Sequence, residues 1–290
     1  LKNWKEKIIR LLLVASASIS ILIVLSIFLF LGKEALPFAF DPGLSALWGT
    51  RWIPVSFKEE LFGLLPLLTG SILVTVLATA IMIPFGVLGA VYIAEIARGP
   101  ERDILKPFIE ILTAIPSVVI GFFGLVVLSP IIKNIFHLNT GLTALSGAVL
   151  LALMAIPTVI SISEDAIRSV PKSYKEASLA LGAKRLQTIF SVIVPAALPG
   201  IIAAIMLGIG RVIGETMVVL MVTGNAAKIT FNPMSSVRTM TATIAAEMGE
   251  VAFGSHHYRA LFWVGIILLL ITFGLNVIAQ KVLKRYRTVE

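Results

Sequence analysis

The sequence predicts an all-α membrane protein with six transmembrane helices, on three observations. Of its 290 residues 58% are hydrophobic and only 14% charged, with a mean hydropathy of +0.99, whereas a soluble domain is roughly half apolar and about a quarter charged. The apolar residues gather in runs of about twenty or more, each long enough to cross a hydrocarbon core of about 30 Å as a helix rising about 1.5 Å per residue. The lysines and arginines, finally, are shared unevenly among the connecting segments. The alternation that would build barrel strands is not seen.

The first run follows Lys2, Lys5, Lys7 and Arg10. It is longer than a secretory-signal core and no small-x-small cleavage site follows it, so a retained helix over 8–32 is expected. The loop 33–64 carries Trp48, Trp52, Phe57 and Phe62, read as aromatic anchors at the membrane interface, with ligand binding as the rival. Further spans are expected at 65–97, 104–132, 141–163, 195–224 and 259–283. The second and third exceed what crossing needs, which predicts tilt or bending, at Pro84 with Gly86 and at Pro116 before Gly121 and Gly124. In the fifth, Gly210 and Gly214 have the spacing that lets two helices approach closely. Residues 225–258, rich in Thr and Ser, either re-enter the membrane face or form a docking surface. The chain thus divides into a first helix with its outer loop (1–64), a five-helix core (65–284) and a tail (285–290).

Sixteen Lys and Arg fall at the N-terminus, in the second and fourth loops and in the tail, against seven in the other three loops. Basic residues are retained preferentially on the cytoplasmic side, so both termini are predicted cytoplasmic. This bias accounts for the net charge of +8, and the basic residues form no single stripe, so no nucleic-acid partner is invoked. There is no cysteine. His256 and His257 are neighbours that point to different sides, and with His137 they make no recognised ligand spacing, so no metal site is expected. No GxxxxGK[ST] loop is present, so the chain is not expected to hydrolyse ATP, and it should not be an enzyme.

Between the fourth and fifth spans lies EDAIRSVPKSYKEASLALGAKRLQTIFSVIVPAALPG, long for a connection between neighbouring helices. Pro171 can open a helix, Tyr174, Ala177 and Leu181 share a face, and Gly182 suits a helix end. The stretch over about 164–194 reads as a short amphipathic helix, a glycine turn and a second helix starting near Lys184. Glu176, Ala177 and Ser178, Gly182, Val192, Val194 and Pro195 stand at the spacing of the EAA loop, and the stretch resembles that loop of ATP-binding-cassette (ABC) importer permeases, with Ser in the third position and Val for Ile and Leu. The resemblance implies that Glu176, Ala177, Ser178, Gly182, Val192 and Pro195 belong to a coupling element seated on a separate cytoplasmic ATPase. An ordinary interfacial helix-turn-helix is the competing reading.

GRVIGET, residues 210–216, sets Arg211 and Glu215 inside an apolar segment. Four residues apart on a helix, they share a face and are expected to pair. An unpaired charge at mid-span costs roughly 2.5–3.5 kcal/mol on insertion scales, and an apolar pair would serve stability as well. A polar pathway is therefore the leading reading and a plain ion pair the rival. A guanidinium fork matches phosphate-like oxyanions. A Glu215 acceptor would favour phosphate, which keeps a proton at neutral pH, over sulfate.

GRVIGETMVVLMVTGNA, with FGLLPLLTGSILVT at 62–75 and TATIAAEMGE at 241–250, resembles the PstC-type permease subunits of phosphate ABC importers, within the MetI-like permease family. This resemblance implies an inner-membrane pore subunit for inorganic phosphate, with Arg211, Glu215 and Thr216 on the substrate path. It implies as partners a sister permease of the PstA type in a heterodimer, two copies of the ATPase and an external phosphate-binding protein. This chain itself would hold no cofactor, ATP and Mg being bound by the ATPase. The rivals are a permease for another oxyanion (sulfate or molybdate), an ion-coupled secondary transporter, and a non-transporting scaffold.

Overall fold

The computed structural model describes residues 2–56 and 58–287; Phe57 and the last residues of the predicted tail, 288–290, lie outside it. The chain is helical almost throughout: α1 (Lys2–Phe38), α2 (Leu65–Val91), α3 (Gly99–Thr113), α4 (Ser117–Phe123), α5 (Ser129–Ile135), α6 (Ala144–Ser169), α7 (Lys172–Ala180), α8 (Arg185–Thr188), α9 (Val194–Gly214), α10 (Met217–Val222), α11 (Met240–Glu247) and α12 (His256–Arg287). One short hairpin, β1 (Trp52–Ile53) with β2 (Leu61–Phe62), pairs Trp52 with Phe62. Among the described residues, six segments are long and apolar enough to cross a membrane.

The centre is a three-helix core of α2, α6 and α9. It closes on small residues, because a helix pair can approach only where side chains are short. A β-carbon on Gly86 would lie 2.8 Å from Val159 Cγ1, and one on Gly208 would lie 2.7 Å from Met82 Sδ and 2.8 Å from Val159 Cγ2. Gly89 faces Ile160 and Gly147 faces Val74, so α2 and α6 run parallel. Gly200 meets Ala166, so α9 runs against them. This register brings Pro84 of α2 level with Pro157 of α6, and each withholds a backbone donor from its helix interior. Val74, Ala78, Met82, Ala148, Ala155, Val159 and Ala204 fill the core between them. The predicted close approach at Gly210 and Gly214 is not made among the described residues: none of their atoms lies within 4 Å of where the two β-carbons would stand.

Two predicted span boundaries need correction. The third span is not 104–132 but Ser117–Ile135. Residues 99–113 form α3, a separate helix carrying Glu101, Arg102, Asp103, Lys106 and Glu110, too many charges for a bilayer core. Pro116 ends the preceding helix by excluding helical geometry from the residue before it. The fifth span is not continuous over 195–224: α9 stops at Gly214, and Glu215 is extended (φ −71, ψ 134) before α10 begins.

Helix α1 stands at the edge, exposed along Ile8–Phe30, and meets α12 near its far end, where Phe30 packs edge-on to Phe262 and the Trp263 indole donates to the Ala35 carbonyl at 2.8 Å. Beyond it, Phe38, Leu47, Trp52, Phe62, Leu64, Leu67, Met240 and Leu261 make a second core. Trp52 (4% exposed) and Phe62 (3%) are therefore buried core residues and not interface anchors; the hairpin folds them onto Phe38. Trp48 is exposed. Residues 225–258 turn back into the bundle. Thr239 caps α11 by accepting from the Ala242 N–H, the Met240 N–H donates to Ser71 Oγ of α2 at 2.9 Å, and Met240, Thr241, Ala242 and Thr243 are buried.

Candidate functional site

The α7–α8 region has the predicted form. Pro171 precedes α7, Gly182 takes φ +86, a conformation open to glycine without the steric cost of a β-carbon, and α8 starts after Lys184. Ser178 Oγ and Thr188 Oγ1, 2.9 Å apart, clip the two helices together. No side chain of α7 is buried. Ala177, Ser178, Gly182 and Val192, with Tyr174, Leu181, Ala183 and Gln187, line an open groove of about 570 Å³. Leu181 is 90% exposed at its rim. Glu176 lies on the other side of α7, lining a cleft beneath it, and Pro195 stands in the first turn of α9. The arrangement is a short helix held proud of the bundle with an apolar-lined groove beside it.

The mid-membrane residues are placed differently from the expectation. Arg211 and Glu215 do not pair: the helix break between them turns Glu215 away, and no ion pair within 4.0 Å joins them. Arg211 Nη1 donates instead to Thr158 Oγ1 of α6 at 3.0 Å. Glu215 Oε1 accepts the N–H groups of Met217 (3.0 Å) and Val218 (3.4 Å), so the carboxylate starts α10, as negative charge at a helix N-terminus does favourably. Its Oε2 has no partner among the described residues. Thr216 lies in the break, with a weak hydrogen bond of 3.4 Å to the Gly214 carbonyl, while Thr241 Oγ1 donates to the Glu215 carbonyl at 2.8 Å. Ser71, Thr75, Thr239, Thr241 and Glu215 surround a void of about 10 Å³, enough for at most one water. Beside Arg211, the α9 stripe of Leu207, Gly210 and Gly214 is uncovered.

Two carboxylates that sequence reasoning missed anchor the ends of the bundle. Glu164 (1% exposed) meets Lys106 at 2.7 Å, Arg102 at 3.3 Å and Arg168 at 3.4 Å. Lys106 also reaches Asp165 at 2.8 Å; Asp165 first and Glu164 second hold its ammonium above the ordinary lysine range. At the opposite end Glu247 receives Arg238 at 2.6 Å, His257 at 2.8 Å and the Trp52 indole N–H at 3.0 Å. His257 is thus a partner of a carboxylate. The available signal was an acidic residue in an apolar context, Glu164 at the end of a span and Glu247 in IAAEMGE, but Arg102, Lys106 and Trp52, which complete the two clusters, lie far away in sequence.

Residues 82–288 match the family described as the binding-protein-dependent transport system inner membrane component. The chain belongs to that family. The permease is 40% identical over 267 residues to the probable ABC transporter permease protein YqgH of Bacillus subtilis, covering 91% of this chain and 86% of that one. It is 33% identical over 262 residues to the phosphate transport system permease protein PstC of Mesorhizobium japonicum, covering 84% and 79%. Its fold superposes, with a TM-score of 0.58 and 13% identity, on a chain of a bacterial alginate ABC transporter solved in complex with an alginate pentasaccharide-bound periplasmic protein, covering 91% and 94%. The permease is accordingly a multi-pass inner-membrane subunit of an ABC importer with the MetI-like fold.

Proposed function

We propose that this permease carries inorganic phosphate inward, as one half of a pore whose other half is a sister permease of the PstA type. The observation that carries the reading is the state of Arg211. Of the five N–H donors of a guanidinium, one is used among the described residues, on the neutral hydroxyl of Thr158, and none of their carboxylates lies within 4.0 Å. A half-buried cation at mid-span without a counter-charge is costly, and an oxyanion supplies both the charge and a matching fork of acceptors. Glu215 Oε2, free to accept, gives the hydroxyl of a monohydrogen phosphate a partner that sulfate cannot use. Thr216, in the break, lies on the same route. Relatives named as phosphate permeases point the same way.

The uncovered stripe of Leu207, Gly210 and Gly214 beside Arg211 then becomes the face toward the sister subunit, so that the anion passes between two chains. Two ATPase copies, which bind ATP and Mg, dock at the groove formed by Tyr174, Ala177, Ser178, Leu181, Gly182 and Val192, on the cytoplasmic side with both termini. An external phosphate-binding protein delivers the cargo. Glu176 lies under α7 and Pro195 follows in α9, both positioning the docked helix. The other oxyanions are the reading this competes with, since a guanidinium fork matches their oxygens as well.

Uptake of labelled phosphate into vesicles holding the assembled transporter, challenged with excess sulfate or molybdate, tests the cargo. Competition by unlabelled phosphate alone is expected. Displacement of phosphate by either other anion at similar concentration would reassign it.

A further inference from the structure

The docking helix α7 follows α6 in the chain but is braced to α2. Lys175 Nζ meets Glu95 Oε2 at 2.5 Å, and the Arg185 guanidinium donates to the Glu95 carbonyl. Glu95 stands just beyond the end of α2 and is 11% exposed. A cleft of about 420 Å³, lined by Ala94, Ile167, Lys172 and Leu179 among others, opens beneath α7. With no α7 side chain buried, packing does not hold the helix down. The ion pair is a strut across a gap. The reciprocal connection exists as well: α3, which follows α2, is tied to the end of α6 through Lys106 and Glu164. Each of the two parallel helices is therefore held by the element that follows the other.

We propose that Glu95 is a positioning residue that transmits displacement of α7 to α2, so that α2 and α6 move as one pair. The covalent link through Val170 and Pro171 pulls α6 whenever α7 moves. The Glu95 strut is the ion pair that ties α2 directly to α7 and lets α2 follow it in step. Both helices carry a proline at one level, Pro84 and Pro157, next to Thr158, the partner of Arg211. A paired movement of the segments below those prolines shifts Thr158 and releases Arg211; movement of α6 alone shears it against Gly86 and Gly89, where there is no free space. This inference rests on α7 being the ATPase-docking helix.

The test is phosphate transported per ATP hydrolysed by the complete transporter in proteoliposomes with its binding protein. Glu95→Gln is expected to lower that ratio about fivefold or more, the low end of an energetic coupling between sites, with ATP hydrolysis retained. The exchange Glu95→Lys with Lys175→Glu is expected to restore it to within about twofold, an outcome that loss of folding would not give. A wild-type ratio in Glu95→Gln, or an exchange variant no better than the single one, overturns the strut. Ala177→Trp, on the groove face of α7, separates the two claims. If it prevents ATPase association while Glu95→Gln behaves as wild type, docking stands and the strut falls. If the Ala177→Trp complex assembles and transports normally, both fall.

Discussion

The ends of the bundle and its middle treat buried charge in opposite ways. At the ends, Glu164 and Glu247 are each surrounded by three donors, cationic for Glu164 and cationic, imidazole and indole for Glu247. In the middle, Arg211 has one neutral hydroxyl and Glu215 has backbone amides. A saturated carboxylate fastens elements together: Glu164 joins α3 to α6, and Glu247 joins the β1–β2 hairpin, α11 and α12. An unsaturated guanidinium fastens little and keeps its donors for something else. The difference separates groups that hold the permease together from a cation left with donors to spare, the one to which the proposed function gives the cargo.

The contrast can be broken by showing that the ends do not brace. Glu164→Ala is expected to destabilise the detergent-solubilised protein by about 1.5–3 kcal/mol, the range for hydrogen bonds to charged groups, because three cations lose a shared partner. Unfolding in denaturant measures it. Glu247→Gln keeps an acceptor for the Trp52 indole while losing charge pairing with Arg238, and should cost less, about 1–2 kcal/mol. Gly182→Val forces a branched side chain into φ +86, at about 1–2 kcal/mol per residue in that region; the loss should be local, read as faster proteolysis of the α7–α8 turn.

The smallest effect sharpens the picture through pH. The Lys106 pKa is raised by Asp165 and Glu164, so its contribution is fully present below the unfolded value of about 10.4 and is lost as pH rises through the higher folded value. Unfolding midpoints should therefore fall in alkali above that point. Lys106→Met should flatten this part of the profile.

Much of this was legible in the sequence because it is local. Six apolar runs gave the number of spans, and the Pro171-to-Gly182 pattern gave the helix, turn and helix of the α7–α8 region. What failed depended on distant partners or on a local break. The four-residue spacing of Arg211 and Glu215 implies pairing only on an unbroken helix, and the carboxylate's affinity for the amides of Met217 and Val218 helps to break it. Trp52 and Phe62 read as membrane anchors because much of the chain that buries them, around Met240 and Leu261, is remote in sequence. The charges of α3, by contrast, were visible, and with Pro116 they mark it as a helix outside the bilayer.

Uptake by Arg211→Gln tests the division between bracing and transport most directly. The account predicts a permease that assembles with its partners, has an unfolding midpoint close to the parent's because only the Thr158 contact is exchanged, and takes up no labelled phosphate above background. Parent-level uptake by that variant, in a correctly assembled complex, would contradict it.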